Sequence, residues 1–351
     1  MITIKEIAQR CEVSTATVSY ILSGKSGKAS EKTRERVLRV ARELDYVPNA
    51  AAQHLKSKRT RSIGVIVEDM TIFSIPEIVD GITDYCEQQD YQILLLNLRL
   101  FKKFNDSYYY KTDYFERVRG EIRKLMNKQV EAVIYVSAHE RILRCIPEDL
   151  SIPAVMTYGY TKSSRVPSVV VDDVQGSYMI TKRLLDSGHR RIGVITGKPD
   201  SLHTQARQMG FQKALYESFV PFHPEDIRNG DWERHSGYAQ TDLLLSNGVT
   251  AIFCMNDLMA GGVYDRLEEL GMQVGRDVSL AGYDDRMLSA YYQPGLTTVR
   301  LPLHDIGYEA SRLILDMLEN KRSWEEPYVL SVPCELVERA SVCSYREQDG
   351  K

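Results

Sequence analysis

The chain has 351 residues, of which 43% are hydrophobic and 26% are charged, so it holds enough apolar material for two or three packed units. Residues 1–60 contain 12 Lys/Arg and 6 Asp/Glu, a net charge of +6, and since the whole chain carries −3, the remaining residues carry −9. The sequence has no run of roughly 18 consecutive apolar residues, which excludes a membrane-spanning helix. Its first ten residues, MITIKEIAQR, lack the pattern of a secretory signal. We therefore expect a soluble cytoplasmic protein whose basic N-terminal segment binds a polyanion.

The six cysteines indicate neither a zinc site nor a disulfide framework. They are scattered along the chain, with no CxxC pair and no histidines beside them. Most of them are expected to be small buried hydrophobic residues, and we predict no metal and no cofactor. Their positions are 11, 86, 145, 254, 334 and 343.

Three helices are predicted in the N-terminal segment, each preceded by a residue that can cap it. They begin after Thr3, Ser14 and Ser30; the first runs through Arg10, and the third covers EKTRERVLRVARELDY. The tight link RCEVS between the first two helices predicts a helix-turn-helix. The residues expected to face inward are Ile4, Ile7, Ala8, Val18, Ile21, Leu22, Val37, Leu38, Val40, Ala41 and Leu44.

The second helix is the predicted DNA-reading element. It exposes Thr15, Ala16, Ser19 and Tyr20, short or planar side chains that fit against base edges and thymine methyl groups. The alternative is a generic three-helix packing unit with a solvated basic face. The basic charge, the short second helix and its polar outer face together favour DNA binding.

The stretch NAAAQHLKSKRT, residues 49–60, predicts one further short helix, capped by Asn49. Isolated helices shorter than about 12 to 15 residues are marginal in water, and Leu55 is the only large apolar side chain here. A helix of this kind can be coupled to DNA, with two copies packing together and an apolar wedge opening a base step. The alternative is a flexible linker.

The segments TIKEIAQRCEVSTATVSYIL, ASEKTRERV and LDYVPNAAAQHL resemble the DNA-binding head of the lactose-repressor (LacI/GalR) family. The resemblance implies that residues 49–60 are the family's hinge helix, which forms when two subunits meet on the operator and inserts a leucine, here Leu55, into the minor groove. Tyr20 departs from the arginine usual in the family, so base preference need not follow the family consensus. The predicted DNA-binding residues are Thr3, Ser14, Thr15, Ala16, Thr17, Ser19, Tyr20, Asn49, Ala52 and Leu55.

From residue 62 onward, short apolar runs alternate with amphipathic segments, which is typical of doubly wound parallel α/β sheets. About 290 residues exceed one core, so two lobes are expected, with ligands bound beyond the carboxyl ends of the strands. The resemblance implies two periplasmic-binding-protein-like lobes with crossovers near residues 165, 293 and 322. The eight strand runs are SIGVIV, YQILLLN, EAVIYV, PAVMTY, SVVVDD, RIGVIT, AIFCM and VSLAGY.

The predicted organisation is therefore an all-α head followed by a two-lobed α/β effector domain. The expected limits are 1–47 for the helix-turn-helix domain, 48–61 for the hinge, 62–340 for the effector-binding and dimerisation domain, and 341–351 for a tail. Within the effector domain, the first lobe is expected at about 62–165 and 294–322, and the second at about 166–293 and 323–340.

Four segments place polar or aromatic groups just after predicted strands or at helix starts: CMNDLMAGGV, LAGYDD, TQARQMGF and GDWERHSGY. Carboxylate, amide and guanidinium groups around an aromatic face suit a sugar. By resemblance, Asn256, Asp284, Arg207 and Trp232 align with effector-contacting positions of the family. The alternatives are a helix cap for Asn256, an exposed charge for Arg207, a turn cap for Asp284 and a core position for Trp232. Asp257 is interpreted mainly as a cap.

The first lobe departs further from the family. MTIFSIPEIVDGI matches the segment after the first strand, where Phe73 or Ile75 would line the cleft. Tyr158 lies where many relatives have an aspartate at a strand end, and it completes the predicted effector-binding set. The connection LRLFKKFNDSYYYKTDYFERV replaces a shorter one, and residues 108–110 in it are either cleft-facing rings or surface aromatics.

Three classes of function compete. An enzyme is not expected, because the sequence has no Gly-rich phosphate loop, no HExxH and no GxSxG. A solute-binding protein fits the body but not the basic head. A sequence-specific transcriptional regulator, most simply a repressor, accounts for both halves, with a small-molecule effector, a sugar, between the lobes. A protein co-regulator of the catabolite-control type is the alternative.

The regulator is expected to act as a homodimer on palindromic operator DNA, because two equivalent recognition helices need two-fold related half-sites. The terminal sequence SVCSYREQDGK has no leucine heptads, which favours a dimer over a tetramer. Binding of effector and operator should be coupled reciprocally.

Overall fold

The computed structural model describes residues 2–23, 29–46, 59–105, 112, 114–319 and 327–345. The chain divides into two compact units, Met1–Thr60 and Arg61–Lys351. Within the described ranges, no helix combines the length and the apolar character needed to cross a membrane.

The first unit contains the three predicted helices, α1 Ile4–Arg10, α2 Thr15–Leu22 and α3 Glu31–Glu43. The predicted caps are confirmed: the side chains of Thr3, Ser14 and Ser30 each accept a hydrogen bond from the backbone N–H three residues later. Thr3 and Glu6 form a complete capping box. The core of this unit is built around Ile7, Cys11, Val18, Ile21 and Val37, with Ala8 and Ala41.

Helix α3 ends earlier than the sequence pattern indicated. The pattern runs to Tyr46, but the helix ends at Glu43, and Asp45 has a left-handed φ of 47°. Aspartate tolerates this conformation better than most residues, so it turns the chain out of the helix.

The second unit holds twelve described strands. They are β1 Ser62–Val67, β2 Gln92–Asn97, β3 Ala132–Val136, β4 Ala154–Thr157, β5 Ser168–Val171, β6 Ile192–Thr196, β7 Ile227–Asn229, β8 Ala251–Cys254, β9 Ser279–Ala281, β10 Thr298–Arg300, β11 Val329–Val332 and β12 Glu335–Val337. All eight predicted strands are present. The four that were not predicted, β7, β10, β11 and β12, have only three or four residues each.

The helices of the second unit are α4 Ser74–Gln88, α5 Leu100–Phe104, α6 Tyr114–Asn127, α7 Asp173–Asp186, α8 Leu202–Glu217, α9 Arg234–Ser246, α10 Asp257–Glu269, α11 Leu288–Tyr291 and α12 Leu303–Leu318. A 3₁₀ turn covers Pro224–Asp226.

Two sheets define two lobes. The first lobe has the six-stranded sheet in the order β11-β5-β4-β3-β1-β2, and the second has the four-stranded sheet β7-β6-β8-β9. Every pairing within both sheets is parallel, as predicted. The antiparallel pair β10-β12 continues the second lobe, because isolated bridges join Ala281 to Thr297 and Asp284 to Arg300.

The chain crosses between the lobes further along than expected. Strands β5 and β11 belong to the first sheet, although they follow the crossovers expected near residues 165 and 322. The third crossover, expected near residue 293, comes after β10, because α12 packs on α4 and on strands β3 to β5 of the first lobe. The pattern of apolar runs does not predict to which of the two sheets β5 and β11 belong.

Helices α4 and α12 meet at two glycines. A Cβ atom at Gly81 would collide with the backbone carbonyl of His304, and one at Gly307 would collide with that of Ile78. The small residues let the two helix backbones approach closely on the face of the first sheet.

Candidate functional site

The exposed start of α2 is the candidate DNA-reading surface. Ser14, Thr15 and Ala16 are exposed, whereas Thr17, Ser19 and Tyr20 are half-buried. Ser14 accepts a hydrogen bond from the Thr17 N–H at 3.1 Å, and Thr3 is exposed and caps α1. Because Ser14 caps the helix, the side chains of Thr15 and Ala16 are exposed at its N-terminus and are not needed as caps. The predicted DNA-binding residues Asn49, Ala52 and Leu55 lie outside the described residues, as does the 108–110 segment.

Arg207 is the centre of the candidate ligand site in the second unit. It lies on α8 and is only 2% exposed, so the alternative of an exposed helix charge is wrong. Its Nε donates to Asp173 Oδ1 at 2.8 Å, and its Nη1 donates to the Met255 carbonyl. The guanidinium carbon lies 3.7 Å from the centroid of the Tyr283 ring. Burial lowers the pKa of Arg207, but Asp173 outweighs this effect and raises the pKa, so the cation is fixed in place.

Asp284 faces Arg207 without a direct hydrogen bond. It follows β9 with a φ of 105°, a backbone conformation that favours glycine. Its one ion pair among the described residues is with Arg207 Nη1, at 3.6 Å, although the side chain is 6% exposed. Burial raises the pKa of Asp284 to about 6. A buried carboxylate that lacks a donor is costly, and such groups often mark binding sites.

Asp257 is not the helix cap that the sequence predicted. The cap of α10 is Asn256, whose Oδ1 accepts from the Met259 N–H at 2.8 Å. The Asp257 carboxylate is fully buried and accepts from the Arg286 N–H and from the hydroxyls of Ser289 and Thr298, at 2.5 to 2.8 Å. It therefore holds the loop that carries Asp284. Burial raises the pKa of Asp257 to about 7, and Asp284 adds to the shift.

Asn256 positions Trp232. Its Nδ2 donates to the Trp232 carbonyl at 2.8 Å, so both ends of the amide are engaged within the protein. Trp232 follows β7, is half-buried, and has a φ of 78°. Its ring lies against Gly197, where a Cβ atom would collide with it, and 5.7 Å from the Arg207 guanidinium carbon. Trp232 is therefore a half-buried ring that packs against the edge of the core and lies beside Arg207.

The first lobe contributes two aromatic residues that contact the second lobe near this site. Tyr158 follows β4, is 3% exposed and has a φ of 52°. Its ring centroid lies 5.1 Å from that of His203 in the second lobe. Phe73 is 38% exposed, and the Arg286 guanidinium carbon is 4.7 Å from its ring centroid. Ile75, the other predicted cleft residue, is fully buried in the apolar core.

Sequence reasoning missed four buried residues of this site, Glu140, Asp173, His203 and Tyr283, and the half-buried Arg286. Two signals were present. Asp173 is the last residue of the predicted strand run SVVVDD, and His203 lies four residues before Arg207 on the same helix. Glu140 gave no such signal, because it lies in a loop of the other lobe.

Glu140, Asp173 and His203 are close enough to hold a metal ion, with ligand atoms within 4.8 Å of one another. Their hydrogen bonds fit a metal poorly. His203 Nδ1 is 2.5 Å from Asp173 Oδ2, and Nε2 accepts from the Glu140 N–H at 3.3 Å. Asp173 is already neutralised by Arg207. Burial lowers the pKa of His203, but the two carboxylates outweigh it and raise the pKa. The arrangement is a hydrogen-bonded network that supports Arg207.

Both units match known families. Residues 3–49 match the bacterial regulatory proteins of the lacI family, and residues 181–342 match the periplasmic binding protein-like domain. The HTH-type transcriptional repressor PurR of Vibrio parahaemolyticus is 32% identical over 346 residues, which cover 97% of this chain and 99% of the relative. The chain belongs to the LacI family.

Solved structures of LacI-family proteins agree with this assignment. The Lac repressor dimer bound to operator and the anti-inducer ONPF has a TM-score of 0.76 and 26% identity, with 97% of this chain and 99% of that chain covered. The complex of the transcriptional regulator CelR with cellobiose has a TM-score of 0.63 and 27% identity, with coverage of 97% and 100%. This LacI-family chain is a ligand-controlled DNA-binding transcriptional repressor, so the predicted fold class and function are confirmed.

Proposed function

We propose that this LacI-family repressor binds a small effector, a sugar, between its two lobes, against Arg207, Asp284, Trp232, Tyr158 and Phe73. The Asp284 carboxylate carries the proposal. The Asp284 side chain is only 6% exposed, and no described residue donates a hydrogen bond to it. A bound hydroxyl would supply the missing donor.

The surroundings of Asp284 favour a sugar over a purely apolar ligand. A sugar needs directional polar partners for its hydroxyls and an aromatic surface for its C–H face. Arg207 and Asp284 offer a donor and an acceptor, and Trp232 offers a ring beside them. The structurally similar CelR binds cellobiose. In this proposal Asn256 acts through Trp232, because both ends of its amide are already engaged.

On DNA, the repressor acts as a homodimer on a palindromic operator, in the cytoplasm, where that DNA lies. Exposed Thr15 and Ala16 read base edges, and the basic residues of the head contact phosphates. Leu55 is the proposed minor-groove wedge of the hinge helix. The Lac repressor, which this chain resembles across both units, is a dimer on its operator.

The effector proposal is tested by thermal unfolding of the full chain with monosaccharides, disaccharides, sugar phosphates and nucleobases. A ligand at a hundred times its Kd stabilises the folded state by about 2.7 kcal/mol. We expect a selective shift with a sugar that is lost in Asp284→Asn and kept in Asp80→Asn, which removes an exposed carboxylate. A shift that survives Asp284→Asn would place the ligand elsewhere. No shift with any sugar would contradict the sugar and favour a protein co-regulator.

The DNA proposal is tested by selecting binding sequences from a random duplex library with the full chain. Two half-sites related by two-fold symmetry are expected. Ala16→Asp should abolish recovery, because it places a negative charge beside the bases and phosphates, whereas Asp80→Asn should leave it unchanged. Recovery of single, unpaired half-sites would contradict the dimer.

A further inference from the structure

His203 joins the two lobes through both nitrogens of one buried ring. It lies on α8 of the second lobe and is 4% exposed. Its Nε2 accepts a hydrogen bond from the backbone N–H of Glu140, in the loop after β3 of the first lobe, at 3.3 Å. Its Nδ1 is 2.5 Å from Asp173 Oδ2. One imidazole thus spans from a first-lobe backbone amide to a second-lobe carboxylate.

The two contacts fix the protonation of the ring. An Nε2 that accepts from an N–H must carry a lone pair, and an Nδ1 beside a carboxylate must carry the proton. His203 in this geometry is therefore the neutral Nδ1–H tautomer. A metal bound at Nδ1 would force the proton to Nε2, where it would face the Glu140 N–H.

The first-lobe side of this contact is held rigidly. Glu140 Oε1 accepts from the Val171 N–H at 3.1 Å, and Oε2 accepts from the Tyr160 hydroxyl at 3.3 Å. The side chain of Glu140 thus fixes its own backbone N–H relative to β5. The Tyr158 ring, which packs against the His203 ring, closes the same region from the first lobe.

The second-lobe side leads directly to the candidate effector site. Asp173 uses one carboxylate oxygen for His203 and the other for Arg207 Nε, at 2.8 Å. A movement of the first lobe that pulls the Glu140 amide away from His203 is therefore transmitted through Asp173 to the guanidinium that faces Asp284. The path is a continuous chain of hydrogen bonds and ion pairs.

We propose that His203 is a positioning residue that latches the two lobes and sets the orientation of Arg207 through Asp173. The link to effector binding rests on the proposed function, but the latch itself does not. The latch is made by the Nε2 acceptor, and the Nδ1 donor couples it to Arg207.

Two substitutions separate the two nitrogens. In His203→Asn, the amide nitrogen can take the place of Nδ1 and still donate to Asp173, but the acceptor toward Glu140 is lost. In His203→Gln, the longer side chain carries an acceptor to the place of Nε2. If the latch exists, the contact between the lobes at the Glu140 N–H is lost in the asparagine variant and kept in the glutamine variant. If His203 only serves as a structural partner of Asp173, the reverse is expected.

The measurement is hydrogen exchange of the full chain without ligand, followed by mass spectrometry on peptides that contain Glu140. We expect exchange at this amide to be about tenfold faster in His203→Asn and close to the wild-type rate in His203→Gln. Equal protection in wild type and His203→Asn would overturn the latch. Loss of protection in both variants would overturn the assignment to the Nε2 acceptor. Thermal unfolding checks that each variant is folded.

Two spectroscopic readouts complete the test. In a Trp324→Phe background, Trp232 is the single tryptophan, and its emission should shift to longer wavelength in His203→Asn as water enters beside it. In ¹⁵N-histidine spectra, the resonance that disappears in His203→Asn should show the Nδ1–H tautomer. The opposite tautomer would overturn the proposal. Neither readout uses an effector, so failure of the sugar proposal leaves this test intact.

Discussion

Two buried carboxylates, one directly after β1 and one after β9, have opposite surroundings. Glu68 in the first lobe is fully buried and accepts from the Tyr135 hydroxyl, the Ala138 N–H and Arg141 Nη2, at 2.7 to 2.9 Å. Asp284 in the second lobe is almost as buried but has only the 3.6 Å contact with Arg207 among the described residues. Glu68 has three hydrogen-bond donors within the protein and therefore completes the fold, whereas Asp284 has none and, in the proposed function, accepts from the ligand.

The largest expected effect comes from breaking the satisfied cluster. Glu68→Ala leaves the Arg141 cation and two other donors without their acceptor, so we expect a loss of about 3 to 5 kcal/mol in the free energy of unfolding. Denaturant unfolding of the full chain measures this loss. Asp80→Asn on the exposed face of α4 is the control, and a loss below about 1 kcal/mol would show that the cluster is not structural.

In the same denaturant unfolding measurement, substitution of Asp284 should change the free energy of unfolding in the opposite direction. Asp284→Asn removes a charge whose pKa is raised to about 6 in the folded state, and asparagine tolerates a positive φ. We expect it to stabilise the chain by on the order of 1 to 3 kcal/mol at neutral pH. It should also abolish the effector response. Destabilisation by this substitution would mean that Asp284 is structural, like Glu68.

The pH dependence of this stabilisation has a definite direction. Because the folded pKa of Asp284 is raised from 3.8 to about 6, its stabilising protonated form is fully present below about pH 4 and is lost as the pH rises through 6. The stability difference between Asp284→Asn and wild type should therefore grow from pH 4 to 7 and then level off. A constant difference across this range would contradict the raised pKa. Taking the difference removes the contributions of the buried groups that do not interact with Asp284.

The smallest expected effect on stability comes from the contact between Arg286 and Phe73 at the edge of the candidate site. The cation–π contact between Arg286 and Phe73 joins the lobes at an accessible position, so it should contribute about 0.5 to 1 kcal/mol. A double-mutant cycle with Phe73→Leu and Arg286→Met measures the coupling. If the two effects simply add, the contact does not help to hold the lobes together.

Local patterns predicted much of this molecule. The caps at Thr3, Ser14 and Ser30 and the eight apolar strand runs depend on neighbouring residues, and all of them are confirmed. Arg207, Asp284 and Trp232 were selected because they lie just after predicted strands or at a helix start and align with effector-contacting positions of the family. The structure places Asp284 and Trp232 beside Arg207.

The missed features depend on distant parts of the chain. The His203–Glu140 contact joins residues 63 positions apart in different lobes, and no periodicity encodes it. Asp257 was interpreted as a cap because Asn256 and Asp257 both suit a helix start, and only the positions of Ser289 and Thr298 show that Asp257 binds them instead. Strands of three or four residues, such as β10 and β11, are too short to give a pattern.

The first sheet combines strands from distant parts of the sequence, and this affects how the chain folds during translation. Strand β11 must pair with β5, and α12 must cover α4, yet both follow almost the whole second lobe in the sequence. At about 5 to 20 residues per second, translation leaves β5 waiting roughly 10 to 30 s for its partner. The second lobe is synthesised with most of its strands in one stretch and can complete its core first. During that interval β5 is an edge strand whose outer N–H and C=O groups are unpaired, which leaves it open to pairing with other chains.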